Sequence, residues 1–236
     1  MEFEKIENTS IKDKALIALE EKILSGIFAT GDKLPTEREI AKEMGISRGI
    51  ISMCILELET KGFVKIVPRK GTYVMDFLKK GTPDILFALM NYDNSTMDYS
   101  LFQNMMDMRK LIEYECVSLA IKNCTNQDLE ELDYNIKQME NHLDDEKFCN
   151  YDFNFHHALV ASSGNSLYAM TVKAFEKSII FFIKQGFTSK KAKQESIKIH
   201  KELINNIKSK DKENAIKTIK VIFESGIDEL SKKYKK

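Results

Sequence analysis

Tryptophan is absent, and only three prolines and ten glycines are spread over 236 residues. So few chain breakers favour long, uninterrupted helices. Net charge is also absent: 36 Lys and Arg balance 36 Asp and Glu. That balance excludes a chain coated all over with positive charge for nucleic acid, and a disordered polyelectrolyte. No apolar run approaches the roughly 18 residues that a membrane helix needs. The longest, "SIIFFI" at 178–183, reads as buried helix turns. Cysteine is sparse: Cys54, Cys116, Cys124 and Cys149, with no C-x-x-C pair. The opening "MEFEKIENTS" is acidic and lacks the apolar core of a secretory signal. The cysteines therefore read as reduced thiols of a cytoplasmic protein.

What is present is apolar material, 43% of the chain, enough for a packed core. The length suits two domains, and the pattern divides accordingly. Ile11, Ala15, Leu16, Leu19, Ile23 and Ile27 form one helical stripe over 11–27. In "LPTEREIAKEMG", Thr36 with Glu39 three residues on forms a capping box, and Gly45 closes a short helix. Ser47 then caps another helix. Two helices joined by about three residues around a glycine make a helix-turn-helix. "FVKIVPRKGTYVM" follows, with strand formers Val64, Ile66, Thr72 and Val74 around the turn "PRKG". Strand, basic turn and strand after a helix-turn-helix make a winged helix.

From about residue 82 the period is helical, with helices expected near 83–91, 100–122, 126–143, 145–162, 165–185, 190–209 and 211–233. Thr125 with Asp128, and Asp211, mark two of the starts; "SKKYKK" reads as a solvated helix end. The linker is expected at 76–82. The fold class is therefore mostly α. A winged helix-turn-helix with a two-stranded wing occupies 1–77, and an all-α bundle of six or seven helices occupies 78–236.

A recognition helix places its first turn against bases and phosphates, where free N–H groups and the helix dipole attract anions. Ser47, Arg48 and Gly49 hold that turn, Ser52 stands one turn on, Arg38 lies on the preceding helix, and Arg69 and Lys70 form the wing tip. Residues 33–75 carry eight basic and five acidic side chains, an excess of three in a neutral chain. By itself such an excess is equally compatible with ordinary solvated surface, and winged helices also serve as protein-interaction modules.

The stretch "GDKLPTEREIAKEMGISRGIISMCILELETKGFVKIVPRKGTYV" resembles the N-terminal domain of the GntR family of bacterial transcription regulators. The resemblance spans about residues 10–75. It implies double-stranded DNA as partner, with contacts from Thr36, Arg38, Ser47, Arg48, Gly49, Arg69, Lys70 and Gly71. Where the family often carries Arg in the second turn of the recognition helix, this chain has Ser52. A serine cannot bridge two guanine acceptors, so the resemblance implies an operator unlike the commonest of the family.

The remainder is similar to the all-helical FCD domain of the FadR subgroup, through "MRKLIEYECVSLAI", "YDFNFHHALVASSGN" and "IHKELINNIKSKDKENAI". The resemblance implies a central cavity, a small-molecule effector and a homodimer. It also implies a divalent ion (Zn, Ni or Mn) on Asp152, His156 and His200. A further histidine expected on the last helix is replaced by Ile222. Asp152 and His156, at i and i+4, share a helix face, which an ordinary ion pair would also explain. Arg109 matches a cavity-facing arginine that can meet an acidic effector; a surface pair with Glu113 is the alternative. His157 is turned by about 100° from His156 and reads as structural, as does His142 near a helix end. The whole describes a ligand-responsive repressor, not an enzyme, with no membrane partner. The alternative from another class is a metal-dependent hydrolase or lyase using Asp152, His156 and His200.

Overall fold

The computed structural model describes residues 10–92, 99–187 and 189–234. The chain forms two compact units, 1–94 and 95–236. The readings of "MEFEKIENTS" and of the last two residues of "SKKYKK" fall outside the described residues, except for Ser10.

In the first unit, α1 (Ile11–Leu24), α2 (Glu37–Met44) and α3 (Arg48–Lys61) precede strands β1 (Val64–Val67) and β2 (Gly71–Val74). The local signals act as expected. Thr36 and Glu39 form a reciprocal capping box, Gly45 ends α2 in the left-handed region, and the Ser47 side chain accepts from the Ile50 N–H. The apolar stripe of α1 is shorter than its pattern. The helix stops at Leu24, and Ile11 and Ile27 are exposed. Ala15, Leu16, Leu19 and Ile23 pack with Ile51, Cys54, Ile55 and Leu58 of α3 in one core. Lys12–Glu57 and Lys61–Glu20 ion pairs tie the same two helices together.

β1 and β2 are antiparallel, with Val64 opposite Val74 and Val67 opposite Gly71. The Lys70 N–H closes the turn on the Val67 carbonyl at 3.0 Å, with Arg69 at φ 62°. Residues 31–34 add a short pairing along β2, through Leu34 N–H to Thr72 O at 2.8 Å and Val74 N–H to Asp32 O at 2.9 Å. The segment expected as a linker contains a one-turn helix, α4 (Phe77–Lys80). It folds back on α3, because the Thr82 N–H and hydroxyl both donate to the Lys61 carbonyl. Helix α5 (Asp84–Tyr92) then adds Ile85 and Ala88 to the first core.

The second unit is all helical: α6 (Tyr99–Asn123), α7 (Asn126–Asn141), α8 (Lys147–Ala161), α9 (Ser166–Ala174), α10 (Glu176–Gly186), α11 (Lys190–Lys208) and α12 (Lys212–Tyr234). One expected helix, 165–185, is two, broken at Phe175, which leaves helical geometry at φ −100° and ψ 11°. Helix α8 is the central element. It buries Phe148, Phe153, Phe155, Leu159 and Val160, along with Asp152 and His156. Cys116 and Cys149 are buried, and burial pushes both thiols up to about 11. Cys54, in the first core, is also raised by burial. Among the described residues no helix is long and apolar enough to cross a membrane.

Candidate functional site

Two regions carry the residues singled out in the sequence. In the first unit, Arg38, Ser47, Arg48, Gly49, Arg69 and Lys70 are exposed, and Ser52 and Gly71 are half-buried. Thr36 and Ser47 already cap helices, so their hydroxyls have local duties. Arg48 opens α3, and its Nε donates to Glu37 Oε2 at 3.0 Å. The glycines divide instructively. Gly71 sits at φ 124° against the Lys33 side chain, so the hairpin itself requires it. A Cβ at Gly49 would meet only Ser47 Oγ, at 3.9 Å. Nothing in the fold requires a glycine at 49.

In the second unit, Asp152, His156 and His200 converge, with ligand atoms within 4.8 Å of one another. Helix α8 contributes the first two one turn apart, and α11 brings His200 against them. The Nε2 atoms of the two imidazoles are 3.2 Å apart. Asp152 Oδ1 lies 3.7 Å from His200 Nε2, and Oδ2 lies 4.0 Å from His156 Nε2. All three residues are buried, and Asp152 Oδ1 has no hydrogen-bond partner.

The far side of each ring is occupied. His200 Nδ1 lies 2.7 Å from the Ser196 carbonyl, which can only accept, so this nitrogen carries the proton. His156 Nδ1 lies 2.5 Å from Glu113 Oε2. Burial alone would raise the Glu113 carboxyl. The charges of Arg109 and His156 outweigh it and hold the group at about 2, so the carboxylate accepts from His156 Nδ1–H. Burial pushes His200 down to about 4, against the pull of Asp152. The two Nε2 atoms and the unpartnered carboxylate oxygen face one small space. A proton on either Nε2 joins the rings in an N–H···N hydrogen bond, and in a neutral ring with its proton on Nδ1 the Nε2 lone pair is free for a cation.

That donor set fits a cation. Two imidazole nitrogens at about 2.0–2.1 Å from a tetrahedral ion stand roughly 3.3–3.4 Å apart. The 3.2 Å between the rings matches, while Asp152 reaches His200 at 3.7 Å through Oδ1 and His156 at 4.0 Å through Oδ2, so the carboxylate would have to move inward to share an ion with both. The group opens on a cavity of ≈ 370 Å³. Its wall is mainly apolar, with Phe182, Ile183, Phe187, Ile199 and Phe223. Ile222 lines this cavity too, at the position where a further histidine was expected.

Arg109 also lines the cavity, stacked with its guanidinium carbon 5.0 Å from the Phe223 ring centroid. Its Nε donates to Glu113 Oε1 at 2.9 Å. The i, i+4 pair is therefore present but buried, not on the surface. Glu113 was missed as a member of the site. Its spacing from Arg109 was visible, but its second partner lies 43 residues away in sequence. His157 stacks on Phe153, outside the cluster, and His142 pairs with Asp145 at 3.5 Å at the end of α7.

Residues 104–225 match the FCD domain, and residues 12–74 match the bacterial regulatory proteins of the gntR family. The chain is a gntR-family regulator with an FCD domain. It is 28% identical over 176 residues to a fatty acid metabolism regulator protein of Shewanella sp. (strain MR-7), covering 75% of this chain and 71% of that one. A protein of the same name from Proteus mirabilis is 26% identical over 200 residues, covering 85% and 82%. Among solved structures, one described as "Lar controls the expression of the Listeria monocytogenes agr system and mediates virulence" superposes with a TM-score of 0.70 at 20% identity, covering 95% of this chain and 98% of that one. E. coli McbR/YncC superposes at 0.55 with 17% identity, covering 96% and 100%. These two neighbours share the fold. The family and its relatives are ligand-responsive transcription regulators rather than enzymes, which leaves the hydrolase or lyase alternative without support.

Proposed function

We propose that this gntR-family regulator is a cytoplasmic repressor. It binds a pseudo-palindromic operator as a homodimer and is released by a small carboxylate-bearing metabolite. The observation that carries the sensing half is the buried Asp152–His156–His200 group, with an orphaned carboxylate oxygen, at the edge of a cavity. These three residues would hold one divalent ion (Zn, Ni or Mn), whose open positions would accept an effector oxygen.

The charges favour an anionic effector. Around the ion, its two charges and Arg109 exceed Glu113 and Asp152 by one, which a monocarboxylate would neutralise; Glu195, which also lines the cavity, is exposed and paired with Lys198. Arg109 would share in binding that carboxylate. The apolar wall, and relatives named for fatty acid metabolism, favour an effector with an apolar body. Ile222 takes the same side, because it gives the ion one protein ligand fewer and the cavity one apolar group more.

In the reading half, the first turn of α3 enters the major groove with Ser47, Arg48, Gly49 and Ser52. Thr36, Arg38, Arg69, Lys70 and Gly71 would meet the backbone. The exposure of Arg48 and the open space at Gly49 support this reading. The test is fluorescence anisotropy with DNA from upstream of the protein's own gene, titrated with carboxylates of increasing chain length, with and without chelator. Binding released by a carboxylate only in metal-replete protein is the expected result. DNA binding indifferent to every carboxylate would sink the effector assignment.

A further inference from the structure

We propose that Glu113 is a positioning residue for ion capture. Its carboxylate fixes His156 in the tautomer whose Nε2 faces Asp152 and His200, and Arg109 holds that carboxylate in place. The proposal rests on the ion-binding reading above.

Three observations carry it. A carboxylate can only accept a hydrogen bond, so the 2.5 Å contact assigns a proton of His156 to Nδ1, which in the neutral ring leaves the lone pair on Nε2. The opposite tautomer would turn an N–H toward the ion and remove a ligand. Second, the oxygens of Glu113 are divided between partners, Oε1 on Arg109 and Oε2 on His156. Arginine–carboxylate pairs are frequently bidentate, and here a single oxygen serves the guanidinium while the other is given to His156. Third, Glu113 is 0% exposed, so no bulk water competes for Oε2.

The two histidines are held by unlike acceptors. Ser196 offers His200 a neutral carbonyl, while Glu113 offers His156 a full negative charge. The charged acceptor makes the His156 ring the more basic and the better-oriented donor to a cation. Arg109 keeps the arrangement tolerable in the interior, since a buried carboxylate with no cationic partner is costly. Arg109, Glu113 and His156 thus form a relay from the cavity wall to the ion, and an effector that draws on Arg109 would be felt at His156.

The test uses the full-length protein, wild type and Glu113→Gln, with a charge-balanced Arg109→Gln/Glu113→Gln variant in case the single change leaves Arg109 too poorly paired to fold. Long-range ¹H–¹⁵N NMR of metal-free protein reads the His156 tautomer, and calorimetric titration with Zn²⁺, Ni²⁺ or Mn²⁺ reads affinity. The expected result is an Nδ1–H tautomer in wild type that becomes mixed in the variants, with affinity down about 10- to 100-fold. Wild-type protein that takes up no ion defeats the ion reading itself, whatever the tautomer. Variants that keep both the tautomer and the wild-type affinity, while His156→Ala loses the ion, overturn the role of Glu113 and leave the ion reading standing.

Discussion

The Nε2 atoms of His156 and His200 face each other across 3.2 Å, each with its ring's other nitrogen already bonded. A proton on one Nε2 makes this an N–H···N hydrogen bond, and a metal ion held by both would replace that proton. A cation bound only by the folded state stabilises it by mass action, by about 2.7 kcal/mol at a hundred times the dissociation constant. For a unit of this size that is a rise in melting temperature of roughly 5–10 °C. Chelation of metal-loaded protein is expected to reverse the rise. His156→Ala is expected to remove the response to both ion and chelator. Elemental analysis showing no metal, with no shift on adding Zn²⁺, Ni²⁺ or Mn²⁺, would contradict the assignment.

Ile222 offers the converse experiment. It lines the same cavity, so Ile222→His is expected to add a fourth protein ligand. The ion should then bind more tightly, and a carboxylate should find fewer open positions. Calorimetry on the variant checks both directions, and unchanged ion affinity would show that residue 222 does not reach the ion.

Gly49→Ala separates the needs of the fold from those of DNA binding. The added methyl meets nothing closer than 3.9 Å. Alanine in a helix is favoured over glycine by about 0.5–1 kcal/mol. The variant is expected to melt higher and bind operator more weakly, because the methyl would stand where the proposed docking brings the backbone to phosphate. Equal or tighter DNA binding would mean that the first turn of α3 stays away from the duplex.

Arg48→Ala is expected to weaken operator binding by about 1–3 kcal/mol with the fold intact. Glu37 would compete with DNA for Arg48, since its carboxylate accepts from the Arg48 Nε in the free protein. Removing Glu37 from an otherwise unchanged chain should therefore raise affinity for non-specific DNA. Titrations at fixed salt, against operator and scrambled duplex, distinguish the two effects.

Salt dependence counts the phosphate contacts. Arg38, Arg69 and Lys70 in both protomers would make about six, for a slope of roughly −5 in log affinity against log salt. A flat line between low and physiological salt would mean that the wing tip is ordinary surface.

Much of this arrangement was legible because its causes are local. Thr36, Ser47, Thr125 and Asp211 all cap helices in the structure, and each announces itself within three residues. Asp152 and His156 needed only helical spacing. His200 needed the resemblance, because nothing near it in sequence says which helix it will face. Glu113 escaped for the same reason. The pairing of residues 31–34 with β2 carries no alternating apolar pattern. The break at Phe175 has no proline or glycine to mark it. Ile27 extends the apolar stripe of α1, but the chain has already turned at Ser25 and Gly26.

The buried cysteines give each unit its own clock. A thiol at about 11 is ionised in roughly one molecule in ten thousand at neutral pH, and only the thiolate reacts with alkylating agents. Cys116 and Cys149 should therefore be labelled only when the second unit opens, and Cys54 only when the first does. Labelling rates read peptide by peptide in a mass spectrometer would time those openings separately. Comparing them with and without DNA or effector would show which unit each one quiets.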